Sequence, residues 1–237
     1  MSQELPHAIL FDLDDTILSF GTLADAAWRK VVGQYIPQLP GVTADVLLAA
    51  VLERRDWYWS DPERHRRGRL GLEDAYGDIV RHAFELLGIA TPGLASQLAN
   101  DYGVERSRDI RPLPGAVDTL RIVKERGVKL ALITNGDKET QRGKINDHDL
   151  ANFFDCIVIE GEFGIGKPND EVYIHAMETL GVGPHETWMV GDNFEWEVVA
   201  PKRLGLTAIW VDSLAEGLPY APSVMPDRII SSITELI

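Results

Sequence analysis

Five short apolar runs recur along this chain, and all but the last stop at a cluster of polar residues. They are Ala8-Ile9-Leu10-Phe11, Leu130-Ala131-Leu132-Ile133, Cys156-Ile157-Val158-Ile159, Thr187-Trp188-Met189-Val190 and Thr207-Ala208-Ile209-Trp210-Val211. Runs this short, apolar at odd and even positions alike, suit strands buried on both faces of a parallel sheet. Helical stretches separate them from the second run onward. Residues 115–126, closed by Gly127, lead into the second run, and Val172, Tyr173, Ala176, Met177 and Leu180 recur at helical spacing ahead of Gly181 and the fourth. The alternation predicts an α/β, doubly wound parallel sheet.

Between the first two runs the rhythm breaks. The stretch from Asp12 to Lys129 is far longer than a crossover needs, so most of it must fold by itself. Residues 22–108 read as helices over about 23–34, 43–59, 72–87 and 91–107, interrupted by Pro37, Pro40-Gly41, Gly68, Gly71, Gly88 and Pro92-Gly93. The prolines of Arg111-Pro112-Leu113-Pro114-Gly115 stiffen the return. The expected division is residues 1–21 with 109–237 for the sheet domain, and 22–108 for an inserted α-helical domain.

Charge narrows the function. A net charge of −14 disfavours nucleic acid and anionic membranes, which are bound by clustered Lys and Arg. The only cysteine, Cys156, lies in an apolar run and has no partner for an internal disulfide, which fits a reducing cytoplasm. Residues MSQELPHAILFDLDD carry no basic segment and only four apolar residues before the acids, so they read as no signal peptide, and no segment reads as a membrane span.

In an open α/β sheet the ligand crevice lies at the carboxyl ends of the strands. After the first run comes Asp12-Leu13-Asp14-Asp15-Thr16, after the second Thr134-Asn135-Gly136-Asp137, after the third Glu160-Gly161-Glu162 and then Gly166-Lys167-Pro168, and after the fourth Gly191-Asp192-Asn193. Taken singly, each has a bland reading as a turn, a helix cap or a solvated lysine. Together they bring carboxylates, a hydroxyl, an amide and an ammonium to one edge. That set suits a magnesium-bound phosphoryl group, because Mg²⁺ takes one or two carboxylates plus phosphate oxygens and water.

These residues resemble the haloacid dehalogenase superfamily of aspartate-nucleophile phosphatases, whose four motifs correspond to DLDDT (Asp12 to Thr16), ITNG (Ile133 to Gly136), GKP (Gly166 to Pro168) and VGDN (Val190 to Asn193). The resemblance covers nearly the whole chain. It implies a Rossmann-like core with residues 22–108 as a helical cap. It further implies that Asp12 attacks phosphorus to give an aspartyl-phosphate and that Asp14 protonates the leaving oxygen and then activates water. Thr134 and Asn135 would hold the transferred group, and Lys167 would neutralise Asp12 and the phosphate. Mg²⁺ would be held by the carboxylates of Asp12 and Asp192, with the Leu13 carbonyl completing the protein ligands and Asp14 beside them in the metal site.

Relatives often carry a second aspartate five residues beyond the first in the fourth motif. Glu197 stands there, either as a support reaching further than aspartate or as a plain acid on a helix surface. The insert holds the one basic cluster, Glu53 to Arg69, with six arginines and His65 against four acids. It reads as a solvated helix pair with aromatic core residues, or as a cap surface whose Trp57, Trp59, Arg66 and Arg67 meet an anionic substrate. The expected activity is hydrolysis of phosphate monoesters of small metabolites. The branch containing pyrimidine nucleotidases and N-acylneuraminate-9-phosphatases is resembled in PLPGAV, Pro112 to Val117, and favours a nucleotide or sugar phosphate. A phosphomutase of the same fold and a receiver-like, non-hydrolytic phosphate-binding protein are the alternatives. The chain is expected to work as a monomer or homodimer.

Overall fold

A computed structural model describes residues 5–237. The first four residues of the amino-terminal segment discussed above, and of the core range, lie outside them. The chain divides into two compact units, one running through Ser19 and resuming at Arg111–Ile237, the other Phe20–Ile110.

The first unit is built on β1 (Ala8–Phe11), and its partners follow far along the chain. The second unit comes between, as five helices: α1 (Ala24–Tyr35), α2 (Ala44–Trp59), α3 (Pro62–Arg69), α4 (Leu72–Leu86) and α5 (Pro92–Arg108). Thr43 and Asp61 cap α2 and α3 by accepting from the amides of Val46 and Arg64. In its core Trp28 stacks on Tyr102 with ring centroids 3.4 Å apart, and Tyr76 meets both edge-on. Such aromatic pairs add about 0.5–1.5 kcal/mol each beyond area burial. Helix α3 has no range of its own in the four helical stretches read from sequence, because PERHRRGR has no apolar periodicity, and it is the second helix of the solvated pair read over Glu53 to Arg69. It is held through Gly68, where a Cβ would meet the Tyr58 and Trp59 rings at 2.7 to 2.9 Å.

The first unit then continues through α6 (Ala116–Glu125), β2 (Lys129–Thr134), α7 (Lys138–Asp147), β3 (Cys156–Ile159), the single turn α8 (Glu160–Phe163), α9 (Asp170–Leu180), β4 (Thr187–Gly191), the short α10 (Ala200–Arg203), β5 (Thr207–Val211) and β6 (Arg228–Ile230). All six strands are parallel, in the order β3-β2-β1-β4-β5-β6. This is the Rossmann-like, doubly wound sheet that the apolar runs predict, extended by β6, whose half-exposed residues give no two-sided apolar signal. Between the two halves of the order the chain reverses direction of travel at β1, so the switch point opens beside the carboxyl end of that strand.

Where this unit is interrupted, its two cut ends are stitched together. The Ser19 amide donates to the Arg111 carbonyl at 2.9 Å, Leu18 bridges antiparallel to Pro112, and the Leu113 amide donates to the Ile17 carbonyl at 2.8 Å. Among the described residues, no helix is long and apolar enough to cross a membrane.

Candidate active site

Strand β1 is bonded to β2 on one side and β4 on the other, and the Asp12 amide continues the ladder by donating to the Val190 carbonyl at 2.9 Å. Asp12 therefore emerges between the ends of both neighbours. The chain then turns at once. The Leu13 carbonyl accepts from the amides of Ile17 and Leu18, each at 2.9 Å, while Asp15 takes a left-handed conformation (φ 58°). Leu13 is fully buried and both lone pairs of its carbonyl are spent in this turn. The expectation that this carbonyl completes a metal shell is therefore not met.

Lys167 reaches Asp12 from the loop after β3. Its ammonium donates to Asp12 Oδ1 at 2.6 Å and to Glu197 Oε1 at 2.7 Å, and Lys167 and Glu197 are each 0% exposed. Burial opposes the ammonium charge, but the Asp12 and Glu197 carboxylates outweigh it and raise the Lys167 pKa. Burial raises Asp12 above the usual carboxylate range against the pull of Lys167, and pushes Glu197 up to about 7. Glu197 is thus a support for Lys167, not a helix-surface acid. It lies on a widened π-helical turn, Phe194–Val199, entered through Asn193, whose side-chain oxygen accepts from the Trp196 amide at 3.1 Å. Gly191 is required beside it: a Cβ there would come 2.2 Å from Glu197 Cγ.

Thr134 ends β2, buried, with its hydroxyl oxygen accepting from Gln141 Nε2, so the hydroxyl proton remains to be donated elsewhere. Asn135, expected to hold a transferred group, has both ends of its side-chain amide engaged with the Lys167 backbone: Nδ2 donates to the Lys167 carbonyl at 2.7 Å and Oδ1 accepts from its amide at 2.8 Å. Its side chain fixes the lysine loop, and the second Nδ2 hydrogen is used in neither of these bonds. Gly166 permits this approach, since a Cβ there would lie 2.4 Å from Asn135 Oδ1.

Asp14 is partly exposed, and two residues overlooked in the motif reading hold it. Lys144 donates to both its carboxylate oxygens at 2.8 Å, and Gln141 donates to Oδ2 at 3.1 Å. Both come from α7, whose first turn is capped by Asp137 accepting from the Thr140 amide.

A family model for haloacid dehalogenase-like hydrolases matches residues 6–205. The chain belongs to that family. Among curated relatives it is 37% identical to a phosphoserine phosphatase of Thermus thermophilus, over 75% of this chain and 65% of that protein. It is 39% identical to the N-acylneuraminate-9-phosphatase of Rattus norvegicus, over 46% of this chain and 44% of that protein. The matches thus span less than two thirds of the length of either relative. A magnesium-bound HAD hydrolase of Bacillus subtilis superposes with a TM-score of 0.73 at 21% identity, covering 98% of this chain and 97% of that one.

In this haloacid dehalogenase-like hydrolase Asp192, after β4, is fixed by Trp210 Nε1 donating to its carbonyl at 2.7 Å. Burial, then Asp12, Glu197 and Asp15, push its carboxyl up to about 9. With Lys144 and Lys167 as cations, the carboxylates Asp12, Asp14, Asp192 and Glu197 leave a surplus of two negative charges when all are ionised. Among the described residues no three His, Cys, Asp or Glu side chains converge as a closed metal cage. Two hard oxygen donors with surplus charge fit Mg²⁺, which keeps several waters and uses substrate phosphate oxygens rather than an all-protein cage.

Of the insert residues singled out in sequence, Trp57 is 41% exposed with the Arg64 guanidinium 4.0 Å above its ring. Trp59 packs edge-on against Tyr58 and His65, as a contact between α2 and α3. Arg66 and Arg67 are exposed. A groove of about 580 Å³ within the helical unit is lined by Arg67, Tyr58, Asp74, Asp78, Arg81 and Asn100 among others, but not by Trp57, Trp59 or Arg66.

Proposed function

We propose that this chain is a Mg²⁺-dependent phosphatase of small phosphorylated metabolites, with Asp12 as nucleophile. The observation that carries the reading is the buried Asp12–Lys167 pair at the switch point, with Thr134, Asp14 and Asp192 around it. Uncatalysed phosphate monoester hydrolysis is so slow that accelerations up to about 10²¹ are required, which calls for several charge-neutralising groups acting together.

An Asp12 carboxylate oxygen forms a bond to phosphorus as the ester oxygen leaves with a proton from Asp14. Water then attacks the acyl phosphate, giving its proton to Asp14 and releasing inorganic phosphate and free Asp12. The Thr134 hydroxyl, the Asn135 backbone N–H and the Lys167 ammonium hold the phosphoryl oxygens through both displacements. The Asp12 and Asp192 carboxylates would hold Mg²⁺, which would supply positive charge against the phosphoryl group. The Asp14 carbonyl, which accepts none of the turn's hydrogen bonds, would serve as the backbone ligand in place of Leu13.

Two relatives support the substrate class, a phosphoserine phosphatase and an N-acylneuraminate-9-phosphatase. A compact polar metabolite carrying one phosphate, such as a sugar or nucleotide phosphate, is the substrate. In this reading the helical unit selects the leaving group, with the exposed Arg66 and Arg67 of α3 as the residues that choose an anionic one. The test is phosphate release from p-nitrophenyl phosphate with Mg²⁺, followed by a screen of phosphorylated metabolites. Chelation and Asp12→Asn are each expected to abolish turnover, and Asp12→Asn at the wild-type rate would overturn the mechanism. Arg66→Ala with Arg67→Ala is expected to raise KM for the metabolite while leaving the small chromogenic ester unchanged.

A further inference from the structure

An acid–base group that serves two successive displacements has to keep its carboxylate where the leaving oxygen departs and where water later attacks. Asp14 stands two residues from Asp12 in a cluster rich in acids, and repulsion alone would swing its side chain toward solvent. Two side chains of α7 prevent this. Lys144 is 6% exposed, and its ammonium lies 2.8 Å from both Asp14 oxygens, so the carboxylate is gripped across its whole edge.

Ordering a lysine side chain costs about 2 kcal/mol of rotamer entropy, and taking its charge out of water costs more. On a helix as polar as KETQRGKIND, a lysine would lie more cheaply in water. Gln141 stands three residues earlier, on the same face, and is 2% exposed. Its Nε2 divides between Asp14 Oδ2 at 3.1 Å and Thr134 Oγ1. One amide thus ties the acid–base carboxylate to the hydroxyl at the end of β2.

The helix that carries both residues is anchored where it starts. Asp137 caps it, and the Gly136 amide just before donates to the buried Glu160 carboxylate at 3.2 Å. Fully buried Ile145 fastens its far end next to Lys144. The two lysines divide the work: Lys167 meets the nucleophile Asp12, whereas Lys144 meets Asp14.

We propose that Lys144, with Gln141, is a positioning residue that holds the Asp14 carboxylate in register with the Thr134 hydroxyl for both proton transfers. The inference rests on the phosphatase reading above.

The test is a double-mutant cycle of Lys144→Met and Asp14→Asn, read as kcat and KM on p-nitrophenyl phosphate and on glycerol 2-phosphate. General acid–base catalysis is worth about 10²–10⁴ in rate. Lys144→Met is therefore expected to lower kcat on glycerol 2-phosphate at least about tenfold. The loss should be smaller on the nitrophenyl ester, whose leaving group needs no proton, and KM should stay within about threefold. In the Asp14→Asn background, Lys144→Met should change kcat by less than about threefold, because the group it positions is gone. Losses that multiply in the double mutant, a change confined to KM, or wild-type kcat in Lys144→Met would each overturn the proposal. Lys144→Gln, which keeps a donor without the charge, is read the same way if the methionine variant does not fold. Wild-type phosphate release abolished by Asp12→Asn secures the phosphatase reading independently. Wild-type protein that releases no phosphate overturns that reading and this inference with it.

Discussion

The Lys167 ammonium donates to Asp12 Oδ1 at 2.6 Å from a position wholly removed from solvent. Its second carboxylate partner is Glu197, whose Oε1 accepts from the same ammonium at 2.7 Å. Removing one partner of a buried pair leaves an uncompensated charge, at a cost of about 3–5 kcal/mol. Lys167→Met is expected to lower stability by about that amount in urea unfolding, and to lower kcat by at least about 10²-fold under conditions where it remains folded. Unchanged stability would mean that the carboxylates find another cation.

Gly191→Ala should damage the same triad through shape alone. The added methyl would lie 2.2 Å from Glu197 Cγ and 2.9 Å from Asp12 Cβ, both held by Lys167. Overpacking of this kind costs about 1–3 kcal/mol. Melting temperature and kcat should fall together, and a variant with both unchanged would show that the π-helical turn can retreat.

The acidic cluster also sets how stability follows pH in the metal-free protein. Asp192 and Glu197 are pushed from ordinary values of 3.8 and 4.5 up to about 9 and about 7, in both cases chiefly by burial, with Lys167 pulling the other way and Asp12 adding to the rise. The folded protein therefore keeps protons that the unfolded chain has released, and stability falls as pH rises through that window. The contribution from Lys167, raised above 10.5, is constant below that value and does not reverse the slope. The melting temperature in chelator should be lower at pH 9 than at pH 6, and Asp192→Asn should flatten the difference. A melting temperature that climbs with pH would contradict this charge arrangement.

Cys156 supplies a check on the sheet. Its thiol is 8% exposed on β3, and burial raises its pKa, so little thiolate forms at neutral pH. Alkylation by iodoacetamide at pH 7.5 should be slower by at least about tenfold in native protein than in urea. Equal rates would mean that β3 opens readily.

The strands β1 to β5 and the polar clusters at their ends are legible in sequence because two-sided burial forces apolar runs to be continuous and to stop where the crevice begins. β6 is not, for an edge strand with Ile229 46% exposed needs no such run. Glu197 stays ambiguous in sequence, since its direction depends on a π-helical turn held by the Asn193 side chain and by Tyr173 donating to the Trp196 carbonyl. Lys144 and Gln141 are hidden for a related reason. A polar helix reads as solvated, and only the depth at which α7 packs shows that two of its polar side chains face inward. Leu13 shows the converse, a residue of a recognised motif whose carbonyl is spent on the turn that holds the motif in shape.

The stitching of Ser19 to Arg111 and of Ile17 to Leu113 has an evolutionary consequence. Because the two ends of the interruption are already neighbours in the sheet-bearing unit, whatever is spliced between them alters neither the strand register nor the carboxylate geometry. The junction works as a socket, in which the length and packing of the inserted helices can change while the ends they join keep their hydrogen bonds.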